Sequence, residues 1–196
     1  MIRTTVTLLT LFTISACTVS SSDNRPDFTP TVSAADVDRA FAEADTISAL
    51  PQTTFGNLPT GSVTYTGKLG ADVSGDANGS ILGDLNMNVG FASNRVGGSV
   101  SNINLIDPDG TPNQRFDGRL ALDGVETAGQ IDTFASGDIT GVDVNGNQVD
   151  AQMLLILEGD VRDRFSRGDT VYGTASGQTE GDFEIDVEGV FYGTRD

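Results

Sequence analysis

An acidic residue at every second position from 182 to 188 (Asp182, Glu184, Asp186, Glu188) is the first feature of the sequence that could do chemistry. On an extended strand these side chains share one face at about 6.5–7 Å spacing, near enough on separation alone for a carboxylate pair or a calcium site. No oxygen-rich loop and no sugar-stacking tryptophan accompanies them, and a strand whose wet face is protected by charge is the weightier reading. Asp143, Asn145, Asn147 and Asp150 follow the opening of an EF-hand loop. Gln148 stands where that loop requires glycine and Leu154 where it requires its closing acid, which leaves a hairpin turn. Arg162, Arg164 and Arg167 fall beside Asp160, Asp163 and Asp169, a charge-balanced loop with a contact patch for an anionic partner as its alternative. The Arg167-Gly168-Asp169 tripeptide is too short to count as an adhesion signal.

What is missing constrains more than what is present. The 196 residues include no histidine and one cysteine, which removes imidazole bases, histidine-assisted nucleophiles, imidazole and Cys-cluster metal sites, and intrachain disulfides. No catalytic, cofactor-binding or metal-binding residue is assigned, no cofactor is expected, and neither haem nor zinc should bind with high affinity. With 28 acidic against 11 basic residues the net charge is -17, which excludes charge-driven binding to nucleic acid or to an anionic lipid surface.

The one cysteine has a defined chemistry. Arg3 precedes an apolar run, Val6 to Ile14, of the length of a signal-peptide core and too short to span a bilayer. Ile14-Ser15-Ala16-Cys17 then resembles the bacterial lipobox, in which an aliphatic residue and two small ones precede the cysteine that is acylated before cleavage. Residues 1–16 are therefore expected to be a lipoprotein signal peptide and Cys17 the lipidation site; an ordinary secretory signal with a cysteine by chance is the alternative. Two or three acyl chains at about 0.8 kcal/mol per buried CH2 would hold the chain on a membrane. Thr18, where an aspartate favours inner-membrane retention in enterobacteria, points to the outer membrane, on its surface or its periplasmic face.

The elements that carry these residues follow in order. Residues 17–32, rich in Ser, Thr, Asp and Pro, read as a flexible tether. Residues 33–50 read as a helix of three to four turns, with Ser33 and Asp36 as a capping box and Val37, Ala40, Phe41 and Ala44 on one face, a lid packed on its own domain or a partner-binding helix. Residues 51–196 read as one β-domain. Val63, Tyr65 and Leu69, then Ile81, Leu85, Met87, Val89 and Phe91, then Phe183, Ile185, Val187 and Phe191 alternate with polar residues, as in half-buried antiparallel strands. Weaker strands are expected near 94–106, 116–123, 128–134, 137–144, 148–158 and 170–176, with turns at Asp76–Gly79, Asp107–Gly110, Asp123-Gly124 and Asn145-Gly146. The last is expected to be a two-residue type I′ turn bringing Val142 opposite Val149. Twenty-three of the 24 glycines lie at or after Gly61, many inside strand patterns, as the bends of a small barrel require. The expected fold is mainly β: an eight-stranded antiparallel β-barrel preceded by one short helix and a flexible lipid tether, with a two-sheet sandwich as competitor. The polar outward faces exclude a membrane-spanning barrel.

The lipobox, the alanine-rich helix, Leu58-Pro59-Thr60-Gly61-Ser62-Val63-Thr64-Tyr65-Thr66-Gly67 and the closing Gly189-Val190-Phe191-Tyr192-Gly193 together resemble the C-terminal barrel domain of transferrin-binding protein B and its single-barrel relatives, factor H binding protein among them. The resemblance covers about residues 50–196. It departs from the family in having one barrel, no handle domain and an end soon after Gly193. It implies a surface lipoprotein that binds a macromolecule, and it assigns no binding residue here.

Two functions stay open. One is a non-enzymatic, monomeric lipoprotein, attached to the membrane by its lipid anchor, that binds a protein partner, such as an iron carrier, through loops at Asp107–Arg115 and Arg162–Asp169. The other is a lipocalin-like periplasmic barrel for a small apolar ligand. Large inward residues (Tyr65, Met87, Phe91, Phe183, Phe191) favour a filled interior and hence the first.

Overall fold

The structure is a computed structural model that describes residues 26–163 and 168–195; Cys17, Arg164 and Arg167 lie outside them. Among the described residues there are one helix, α1 (Ala34–Ser48), a single 3-10 turn (Phe55–Asn57) and nine strands. These are β1 (Ser62–Gly75), β2 (Gly79–Gly90), β3 (Arg95–Ile106), β4 (Pro112–Arg115), β5 (Asp117–Thr127), β6 (Gln130–Val142), β7 (Gln148–Arg162), β8 (Thr170–Gly181) and β9 (Ile185–Arg195). Antiparallel pairing runs from neighbour to neighbour, and β9 pairs back onto β1, so the sheet closes into an eight-stranded barrel without free edges. The ninth strand, β4, is not a separate stave. It pairs with the end of β3 (Asn104↔Arg115) and continues into β5 through Phe116, whose amide donates to Ile103 O at 2.8 Å.

Alternation puts Tyr65, Leu69, Met87, Leu120, Ile131, Met153, Leu155, Leu157 and Phe191 into the barrel axis, all essentially fully buried. On the outside, Ala40, Ala44 and Ile47 of α1 pack against Leu82, Ile106 and Tyr192. Ser33 caps the helix and forms the capping box with Asp36, worth about 1 kcal/mol in comparable helices. Phe41, expected on the packed face, is instead 44% exposed, because contact is made through the small alanines, which bring the helix close to the wall.

Four other expectations are corrected by the backbone. Segments 128–134 and 137–144 form one strand, β6, since pairing with β7 runs unbroken through Gly137 and the register with β5 is the same on either side of it; Gly137 lets the backbone of β5 come so near that a Cβ would lie 2.2 Å from Arg119 O. Asp123-Gly124 lies within β5 for the same kind of reason, with Asp132 O 2.3 Å from the position of a Gly124 Cβ. The two-residue turn with both φ positive is at Ala128-Gly129 (53° and 89°), between Thr127 and Gln130. At Asn145-Gly146 only the glycine has positive φ (80°), the loop is a residue longer, and Val142 faces Gln148 instead of Val149.

The meander sends alternate turns to opposite ends. One end is closed by residues 51–60: Thr53 N donates to Val161 O at 2.8 Å and Leu58 packs against the core, while beside them Tyr65 Oη donates to Gly168 O at 2.8 Å and Phe91 N donates to Gly61 O. There Asp163 is buried and accepts from Thr53 Oγ1 and Gly168 N. The other end gathers the β1–β2, β3–β4, β6–β7 and β8–β9 turns and is open. Against its rim lies the last part of the expected tether. Residues 26–32 adopt no helix or strand, yet Phe28 O accepts from Arg115 N at 2.8 Å and Thr31 N donates to Asn104 Oδ1 at 2.9 Å.

Candidate functional site

The open end holds a cavity of about 510 Å³. Its floor is apolar: Leu105, Val149 and the stacked rings of Phe116 and Phe183, centroids 5.7 Å apart and planes 8° from parallel. Phe183 closes the top of the axis and is only half-buried, and Phe91 does the same at the other end, so these two expected interior residues are stoppers rather than axis filling. Gln114 fixes one wall by accepting from Val142 N at 2.8 Å and donating to Val142 O at 3.0 Å. Val144, at the tip of the β6–β7 loop, is 99% exposed above the cavity.

Four aspartates line this end, one from each turn or its flank: Asp76, Asp107, Asp143 and Asp182. Each accepts from neutral donors, Asp107 and Asp143 within their own loops, Asp76 from the β8–β9 turn and Asp182 from the start of β7. Asp76 Oδ2 accepts from Glu184 N at 2.9 Å, Asp182 Oδ2 from Asp150 N at 3.1 Å, and Asp107 Oδ1 from Asn113 Nδ2 at 2.8 Å. Asp143 Oδ1 accepts from the amides of Asn145 and Asn147, both at 2.8 Å. Hydrogen bonds from Asn147, then Asn145, lower the Asp143 carboxyl from 3.8 to about 2. Among the described residues no lysine or arginine lines the cavity, and the ion pairs use other acids: Asp36, Asp84 and Asp160.

The residues singled out in the sequence are dispersed. Asp182 is on the mouth rim, while Glu184, Asp186 and Glu188 stay exposed along the outer wall as a solvated row, with Ile185 and Val187 buried between them. Arg162 is not a free cation for a partner. It pairs with Asp160 at 2.7 Å, lies over the Tyr172 ring at 5.1 Å, and donates to the carbonyls of Ser48 and Leu50, so it ties the end of α1 to the barrel. The Asp107–Arg115 turn is at the open end, whereas Arg162, Asp163, Gly168 and Asp169 are at the closed end, so these two charged segments do not form one surface. On the wall away from α1, Phe134 faces Ile156 across the β6–β7 pair, with Leu154 beside them, all partly exposed.

Sequence reading missed the four aspartates as a set, since each was read as a local turn or strand residue. The signal was the meander: in an up-and-down barrel every second turn is at the same end. It also missed buried Glu126, whose Oε1 accepts from Gly129 N at 2.7 Å and caps the β5–β6 turn. Its parity with Leu120 and Leu122 on β5 marks it as inward.

No protein-family profile, no curated protein and no solved structure matches this chain. Among the described residues no group of three or more acidic or cysteine side chains is arranged to hold a metal ion, and no helix is long and apolar enough to cross a membrane.

Proposed function

We propose that the chain is a non-enzymatic outer-membrane lipoprotein, held by acyl chains on Cys17, whose open mouth captures a protein partner. The observation that carries the reading is the division of the barrel into a filled axis, one end closed by residues 51–60, and one open end with a cavity of about 510 Å³. A lipocalin-like calyx needs its space along the axis, where Tyr65, Met87, Leu155 and Phe191 stand. The resemblance to transferrin-binding protein B barrels agrees with recognition of a macromolecule by loops, an iron-carrying protein being one such partner. No reaction is assigned, because the mouth carboxylates are engaged by backbone and side-chain amides and no nucleophile and base are paired there.

Intact cells in their natural medium provide the test. A photo-reactive side chain at Val144, 99% exposed at the mouth, is expected to give a discrete protein adduct, and one at Phe55, 77% exposed at the closed end, is expected to give none. Adducts from Phe55 alone would overturn capture at the mouth. Cys17→Ala is expected to lose labelled palmitate; equal incorporation by wild type and variant would remove the anchor.

A further inference from the structure

We infer that the mouth recognises a basic segment of its partner, an arginine or lysine flanked by apolar residues, with the cation held among the rim carboxylates and its stem laid on the Phe116–Phe183 pair. The inference rests on the reading that the mouth is the capturing end.

Three observations lead to it. First, Asp76, Asp107, Asp143 and Asp182 line one cavity that no lysine or arginine among the described residues lines, and the donors they accept from are uncharged, so no described cation offsets their negative charge. Asp143 stays ionised far below neutral pH. Second, the floor beneath them is aromatic and aliphatic. A carboxylate ligand would bring like charge to the rim and a neutral apolar one would leave the rim unpaired, whereas a guanidinium or ammonium on a methylene stem satisfies both layers and gains from the ring faces. Third, Val144 projects above the cavity at 99% exposure, so an occupant confined to the cavity would leave it uncovered, while a peptide chain entering the mouth covers it. A second copy of this chain is disfavoured by its own charge of -17, and the same charge steers a basic partner inward.

The experiment is calorimetric titration of the full protein, solubilised in a non-ionic detergent, with acetyl-Ser-Leu-Arg-Leu-Ser-amide and with the same peptide carrying citrulline for arginine. The arginine peptide is expected to bind saturably and the citrulline peptide about threefold or more weakly, the scale of a few exposed charge contacts. Salt raised from about 0.1 M to about 1 M, which cuts the screening length from ~10 to ~3 Å, should weaken only the arginine peptide. In the Asp76→Asn/Asp182→Asn double variant each side chain keeps a carbonyl oxygen for the amide it accepts from, Glu184 N and Asp150 N, and the two peptides are expected to become equal. Val144→Lys, at a side chain outside the core, should also weaken the arginine peptide about threefold. Equal binding of both peptides to wild type would overturn charge recognition, and tighter binding of free hexylammonium than of the arginine peptide would overturn the protein partner. Failure of both peptides to bind, while Val144 still cross-links a protein on cells, would overturn this inference and leave capture at the mouth standing. Loss of the cross-link as well would overturn both.

Discussion

Phe116 and Phe183 stack face to face at 5.7 Å, joining the break between β4 and β5 to the turn that enters β9. The pair is both the lid of the core and the floor of the mouth. Phe116 is buried and Phe183 half-buried, so the two truncations should differ in cost although the contact is shared.

Phe116→Ala is expected to destabilise by about 3–5 kcal/mol and Phe183→Ala by about 1–3 kcal/mol, the second being partly open to solvent. A double-mutant cycle from urea unfolding should give a coupling of about 0.5–1.5 kcal/mol. Strict additivity would mean that the rings do not cooperate.

Ile185 is 2% exposed and the next residue, Asp186, is exposed. Ile185→Asp should cost about 3 kcal/mol or more by burying an unpaired charge, and Asp186→Asn should stay within about 0.5 kcal/mol. Thermal melts with equal shifts for the two variants would reverse the assigned faces.

The same alternation explains how much of the fold was legible. Period-two patterns on β1, β2 and β9 gave their inward faces correctly because one face is dry and the other wet, and Ser33 with Asp36 placed the start of α1. Gly124 and Gly137 were misread because a strand glycine and a turn glycine look alike in sequence; here the glycines admit a neighbouring backbone. Asn145-Gly146 misled because Asp143 accepts from both Asn145 and Asn147, stabilising a longer loop than the dipeptide suggests. The mouth was hidden for a different reason: its aspartates are 31 to 39 residues apart in sequence, two strands per step, and only closure of the ring brings them to one end.

Arg162 links three elements through Asp160, Tyr172 and the carbonyls of Ser48 and Leu50. Arg162→Ala is expected to cost about 1.5–3 kcal/mol, as hydrogen bonds to charged groups do, and Arg162→Lys to restore only part of it, since an ammonium lacks the planar fork. Hydrogen exchange should quicken in 34–48 well before β6 and β7. Uniform acceleration over the whole chain would argue that Arg162 acts on the barrel and not on the helix.

Acid should loosen the β6–β7 loop in a defined window. The Asp143 carboxyl is lowered from 3.8 to about 2 in the fold, and a depressed carboxylate favours the folded loop above its unfolded value. That contribution disappears as pH falls from about 4 through about 2, when Asp143 takes up its proton. The amide signals of Asn145 and Asn147 should move together over that range and lose the dependence in Asp143→Asn. Movement centred near pH 4 would mean that the hydrogen bonds to Asp143 do not form in solution.

Hydrogen exchange of the protein with and without the partner recovered by cross-linking tests the central claim most directly. Recognition at the mouth predicts slowed exchange in residues 76–79, 107–113, 143–148 and 182–184, with residues 51–60 unchanged. Protection concentrated at the closed end, or along the outer wall around Phe134, Leu154 and Ile156, would contradict it.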